Sequence, residues 1–387
     1  MYYSRDIKRQ VNKLLKGFPV LSVTGPRQSG KTTFLQHQFP KYGYFNLENP
    51  QTLDLIQADP QLFLRENPKH IIIDEVQRYP ELLSYIQAHV DGRDEMGSII
   101  ISGSQNLLIS EKISQSLAGR AAYQTVYPFS IGELKKHSLQ TTDHIEQMLR
   151  GFYPALYSRE VDAQTYYPQY IATYVERDAR LIRSIENLSL FRKFIGLLAG
   201  RVGQVLNVSS LAFDTGISPN TAEDWISILE ASYLVYRLPP YYKNIGKRLI
   251  KSPKVYFSDT GLLCSILNLN SRNEVIHYHN IGNLFENFII GEVQKTISNS
   301  GQSADLCFYR DSHGNELDLL IDHGITQTPI EIKSATTFSP SFLKGINYWQ
   351  KTTHADTAGF IIYAGDKSQE IQNNQLLKWS QLDAVFK

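Results

Sequence analysis

Residues 25–32 read Gly-Pro-Arg-Gln-Ser-Gly-Lys-Thr, and no other segment restricts the fold of this chain so strongly. The spacing is that of a phosphate-binding loop. Its glycines let backbone N–H groups turn inward around an anion, and the helix that follows aims its positive end at the same point. Such a loop belongs between a buried strand and a helix. The apolar run PVLSVTG precedes it, and residues 32–39 have helical spacing. Gly25, Pro26, Arg27, Gln28, Ser29, Gly30, Lys31, Thr32 and Thr33 are therefore the expected nucleotide contacts, with ATP as the ligand and Mg²⁺ as its cation. Lys31 would neutralise the β- and γ-phosphates, and Thr32 would offer its hydroxyl to Mg²⁺.

Two further apolar runs, at residues 70–76 and 98–104, predict strands separated by helical stretches, hence a parallel sheet with crossover helices. The first ends in Asp74-Glu75. Carboxylates at the C-terminal end of a parallel strand lie where α/β sheets bind ligands. Asp74 is expected in the Mg²⁺ shell, and Glu75 as the catalytic group that orients and deprotonates the attacking water, beside Lys31. The second leads into Gly103-Ser104-Gln105-Asn106, either a γ-phosphate contact or a capped turn. Arg120 and Arg177 are candidates for a finger reaching the nucleotide of a neighbouring subunit, or else surface ion-pair partners.

The length, 387 residues, allows several domains. Residues 1–140 form the expected ATPase domain, 141–200 a helical lid or linker, 201–264 a winged helix-turn-helix, and 265–387 an α/β nuclease-like domain. In the third unit, residues 208–215 predict a short helix, Gly216 a turn, and Ser218 the N-cap of a second helix starting at Pro219. A hairpin wing then carries Lys243, Lys247, Arg248, Lys251 and Lys254 with no acidic residue between them. That pattern suits phosphate contacts. Glu223 and Asp224 on the second helix oppose them, and a protein-contact or lid role for this unit stays open.

In the last unit Asp318 lies on one predicted strand, and Glu331 and Lys333 share a face of the next because side chains alternate along a strand. Glu286, on a preceding helix, would complete the set. Glu286, Asp318 and Glu331 are the expected metal ligands. Asp318, Glu331 and Lys333 are the expected catalytic groups for metal-dependent phosphodiester cleavage. A cross-face ion pair explains the Glu-x-Lys alone.

Taken together, GPRQSGKTT, IIIDEVQRYPEL, ISGSQN, the LAGR and YPFSIGEL segments and KSPKVYFSDTGLL resemble AAA-type (AAA+, archaeal ATPase-like) P-loop ATPases with a DUF4143-type C-terminal region. The resemblance runs along the whole chain. It implies a P-loop ATPase fused to a winged helix and a PD-(D/E)xK nuclease-like fold, with no established substrate. The expected function is ATP hydrolysis coupled to a nucleic-acid-directed nuclease-like domain; the alternative is a nucleotide-gated regulator that binds DNA, RNA or protein and cuts nothing. A homo-oligomer is the arrangement an arginine finger requires.

Composition supports a soluble chain: 42% hydrophobic, 20% charged, and no apolar run of membrane-spanning length. Cys264 and Cys307 alone suggest a reducing, cytoplasmic setting. The net charge of +1 sums opposed patches. Residues 1–39 hold seven basic and one acidic side chain, while residues 40–100 hold five basic and ten acidic.

Overall fold

The computed structural model describes residues 2–93, 95–104, 117–175, 185, 187–242, 251–355 and 357–386. Gln105, Asn106, Arg177, Lys243, Lys247 and Arg248 lie outside the described residues.

The expected parallel sheet is present. Its strands are β1 (Val20–Thr24), β2 (Gly43–Asn46), β3 (Ile71–Asp74), β4 (Ile99–Ser102) and β5 (Ala121–Thr125), in the order β2-β3-β4-β1-β5. Every pairing is parallel. β1, β3 and β4 are buried on both faces, which is why they read as unbroken apolar runs. The sheet packs between two apolar clusters. One contains Phe63, Leu83 and Ile86, and the other contains Ile7, Val11, Phe34 and Leu35. The opening helix, Lys8–Gly17, buries Val11 and Leu15 against the latter.

A helical stretch follows. Val208–Thr215 ends at Gly216 in the left-handed conformation (φ 90°), and Ser218 accepts a hydrogen bond from the Thr221 N–H at 3.1 Å to start the helix Pro219–Ala231. Trp225 packs edge-on against Phe191 and Phe194, each 5.2 Å between ring centres. Next come the antiparallel strands β6 (Val235–Leu238) and β7 (Lys254–Phe257).

The last region is built on a 20-residue helix, Ile281–Ser300, and a mixed sheet. Its strands are β8 (Asp305–Arg310), β9 (Glu316–Asp322), β10 (Gln327–Lys333), β11 (Phe360–Tyr363), β12 (Gln369–Ile371) and β13 (Asn374–Lys378), in the order β12-β13-β11-β10-β9-β8. One apolar core runs from Phe129 to Leu382. The expected boundaries near 200 and 264 therefore do not coincide with breaks in packing. Among the described residues no helix is long and apolar enough to cross a membrane.

Candidate active site

The P-loop joins β1 to the helix Lys31–Gln38. Gly25 has φ 143°, and a Cβ there would overlap the Val126 carbonyl; Gly30, at φ 93°, is left-handed. Both positions demand glycine. No side chain caps the helix that Gly30 opens, so its first N–H groups are available to an anion. Lys31 is buried and donates to the carbonyls of Gly25 and Pro26, both at 2.9 Å. The Ser29 hydroxyl, also buried, has no hydrogen-bond partner.

Asp74, at the end of β3, sits in the next strand position but one from β1. Its carboxylate accepts hydrogen bonds from Thr32 Oγ1 (2.7 Å), Tyr44 (2.7 Å) and Ser102. Because Thr32 donates its proton to Asp74, its oxygen lone pairs are left for a cation. Thr32 and Asp74 thus fit the Mg²⁺ of a bound nucleotide, with Asp74 as the supporting carboxylate.

Glu75 lies one residue on, at φ 58°. That left-handed backbone turns it off the strand, and its side chain meets Gln77 and Ser104. Burial pushes its carboxyl up from the usual range, an effect that Lys31 opposes. A base with a raised pKa, beside the phosphate loop, suits proton removal from water. Glu75, Lys31, Thr32 and Arg27 line one cavity of about 430 Å³. Its far wall comes from the helical stretch, at Pro154, Ala155 and Arg159.

Three contributors carry no motif by which the sequence alone would single them out. Tyr44 and Ser102 lie on β2 and β4, the strands that flank Asp74. Arg5 donates to Ser29 O in the P-loop at 3.0 Å. Arg120 is engaged by Asp91, at the opposite end of the sheet from the loop.

The C-terminal carboxylates are also brought together. Ile330 pairs with Leu319, which sets Glu331 beside Asp318. Lys333 donates to Asp318 at 2.9 Å and to Glu331. Burial, reinforced by Asp318, pushes Glu331 up to about 9. Glu286 is held elsewhere in the cluster, by Lys254 at 2.9 Å and by the Tyr256 hydroxyl. Lys254 reaches Glu316 as well, at 2.5 Å.

Two expectations need correction here. Lys254 is not a wing cation facing solvent: it is 1% exposed, and its ammonium stays charged because Glu286 and Glu316 outweigh the cost of burial. As they stand, Glu286, Asp318 and Glu331 do not fit a divalent cation. Two ammonium groups already occupy their oxygens, and among the described residues no group of three His, Cys, Asp or Glu is placed to hold a metal.

Three stretches of the chain are similar to known families. Residues 17–135 match the family described as AAA domain, and residues 281–382 match a domain of unknown function, DUF4143. The chain pairs an AAA domain with a DUF4143 domain. Between them, residues 141–273 match another domain of unknown function, DUF8612. An uncharacterized protein of Mycobacterium tuberculosis is 29% identical over 341 residues, covering 87% of this chain and 75% of that one. An uncharacterized protein of Methanocaldococcus jannaschii is 21% identical, covering 82% and 75%. A Walker-type ATPase of Pyrococcus abyssi, 14% identical with a TM-score of 0.43, covers 68% of this chain and 96% of its own. The AAA domain holds every residue of the P-loop and the Asp74-Glu75 pair. Arg5 lies ahead of its matched range, and the far wall of the cavity lies beyond it.

Proposed function

We propose that this chain binds ATP with Mg²⁺ and hydrolyses it, and that the nucleotide state governs what the DUF4143 region binds. The observation that carries the reading is the convergence of Lys31, Thr32 and Glu75 on one cavity, with Asp74 behind it accepting a hydrogen bond from Thr32. Bound Mg²⁺ would neutralise phosphate charge; Thr32 and Asp74 would hold it. Lys31 would exchange the Gly25 and Pro26 carbonyls for phosphate oxygens. Glu75 would take the proton of the attacking water. The test is ATP turnover by the purified chain. Lys31→Ala is expected to abolish binding, and Glu75→Gln to keep binding and lose at least a hundredfold in turnover. Unchanged turnover in Glu75→Gln would remove that role.

For the C-terminal region, the ammonium group of Lys254, which takes up Glu286 and Glu316, favours a nucleotide-gated regulator that binds DNA or a protein partner without cleavage. The competing reading is a PD-(D/E)xK-like nuclease in which Asp318, Glu331 and Lys333 cleave phosphodiesters. Incubation of labelled DNA and RNA with Mn²⁺, beside an Asp318→Ala, Lys333→Ala variant, separates the two. Cleavage by the parent chain alone would restore the nuclease. We place the protein in the cytoplasm and read residues 201–264 as a winged helix-turn-helix. In a homo-oligomer, Arg120 would have to leave Asp91 to act as a finger.

A further inference from the structure

Arg5 is a charged side chain only 5% exposed, contributed by a segment that precedes the matched AAA domain. Its guanidinium is spread over three structures. Nη1 donates to Ser29 O of the P-loop at 3.0 Å, Nη2 to Tyr127 O at 2.6 Å, and Nε to Glu133 Oε1 at 2.9 Å. Glu133 is fully buried and closes the first turn of the helix Ile131–Lys136: it accepts from the N–H of Ser130 at 3.0 Å and of Asp6 at 2.8 Å.

A second buried ion pair meets the same turn from the other side. Glu292, on the long helix of the DUF4143 region, accepts from the Ile131 N–H. Lys295 donates to Glu292 at 2.6 Å and to Phe129 O at 3.1 Å. All four charged side chains are at most 5% exposed. Burying two ion pairs strips four charges of their water, and apolar side chains of like volume would fill the space at less cost. What the charges provide is a fixed geometry between backbone segments that are far apart in sequence.

We propose that Arg5 is a positioning residue of the nucleotide site, and that it makes the shape of the P-loop depend on the docking of the Ile281–Ser300 helix. The Ser29–Gly30 peptide is trans, so Arg5, which lines the same cavity as Lys31 and Thr32, fixes the direction of the Gly30 N–H by holding the Ser29 carbonyl. The planar fork of arginine serves Ser29, Tyr127 and Glu133 together, which a lysine ammonium cannot do with the same geometry. Glu133 fixes the fork, and the turn that Glu133 closes is itself held by Glu292 and Lys295. The chain of contacts is thus continuous from helix to loop.

The inference rests on the ATP-binding reading above. The experiment measures KM and kcat for ATP, the affinity of a fluorescent ATP analogue, and Tm for three variants of the full chain. These are Arg5→Lys, the pair Glu292→Gln with Lys295→Met, and all three changes together. Arg5→Lys is expected to raise KM at least tenfold, with a smaller change in kcat and a folded chain by Tm. The distant pair, which touches no part of the loop, is expected to raise KM three- to tenfold. The combined variant is expected to be no worse than Arg5→Lys alone. An unchanged KM in folded Arg5→Lys would overturn the positioning role. Multiplied effects in the combined variant would overturn the link to the long helix. Failure of the parent chain to bind ATP would remove the reading beneath both.

Discussion

Gly25 illustrates how one atom can decide the site. Its φ of 143° and the overlap of any Cβ with the Val126 carbonyl leave no room for alanine. Gly25→Ala is expected to cost about 1–3 kcal/mol of stability, the usual strain of a side chain forced into such backbone, and to weaken nucleotide binding at least tenfold. Denaturant midpoints and titration with a fluorescent nucleotide check both. At the C-terminal cluster, burial and the neighbouring Asp318 push the Glu331 carboxyl up to about 9, whereas an unfolded glutamate ionises near pH 4.3. Its contribution is present below the lower value and is lost as pH rises towards the upper. Stability of the parent chain should therefore decline between about pH 5 and 9 more steeply than that of Glu331→Gln, as thermal melts across that range will show. A steeper decline in the variant would contradict the assignment. These residues differ in how legible they were. Lys31, Thr32 and Asp74 were readable because the chemistry is carried by contiguous motifs on predictable elements. Arg5 and Lys254 were not, because their partners Glu133 and Glu286 lie 128 and 32 residues away and only the fold joins them.

At the level of elements, the strands buried on both faces announced themselves as isoleucine runs. The half-exposed or short ones did not. β2, with the sequence GYFN, and β5, with AAYQT, lack both a clear alternation and an apolar run, so the sheet has two strands more than the sequence reading placed in it. The pair Val208–Thr215 and Pro219–Ala231 was legible because its signals are local: Gly216 supplies the left-handed stop and Ser218 the cap. Ser218→Ala should cost about 1 kcal/mol of stability and leave ATP affinity unchanged, since the cap lies outside the cavity. Comparison of denaturation midpoints and KM values distinguishes this local role from a contribution to the nucleotide site. The wing strand β7 misled for a physical reason. Lysine spacing in a sequence reports charge but not direction, and Lys254 points inward to Glu286 and Glu316 in place of solvent.

For the whole molecule, the decisive feature is where the cores divide. The parallel sheet has its own apolar clusters, while the helical stretch, β6, β7 and part of the mixed sheet share the core that runs from Phe129 to Leu382, and the rest of the mixed sheet packs on a cluster around Trp349. Two cooperative units are expected from this arrangement, the parallel sheet with its clusters as one and the remaining described elements as the other. The nucleotide cavity draws on both, because Lys31 and Glu75 belong to the first and Pro154, Ala155 and Arg159 to the second. A ligand that binds only the assembled cavity stabilises whatever must stay folded to form it, by about 2.7 kcal/mol at a hundredfold excess over Kd. Calorimetry of the full chain should therefore show ATP raising the unfolding temperature of both units. A shift confined to one transition would mean that the other unit does not contribute to binding, and that the far wall of the cavity is a neighbour of the nucleotide rather than part of its site.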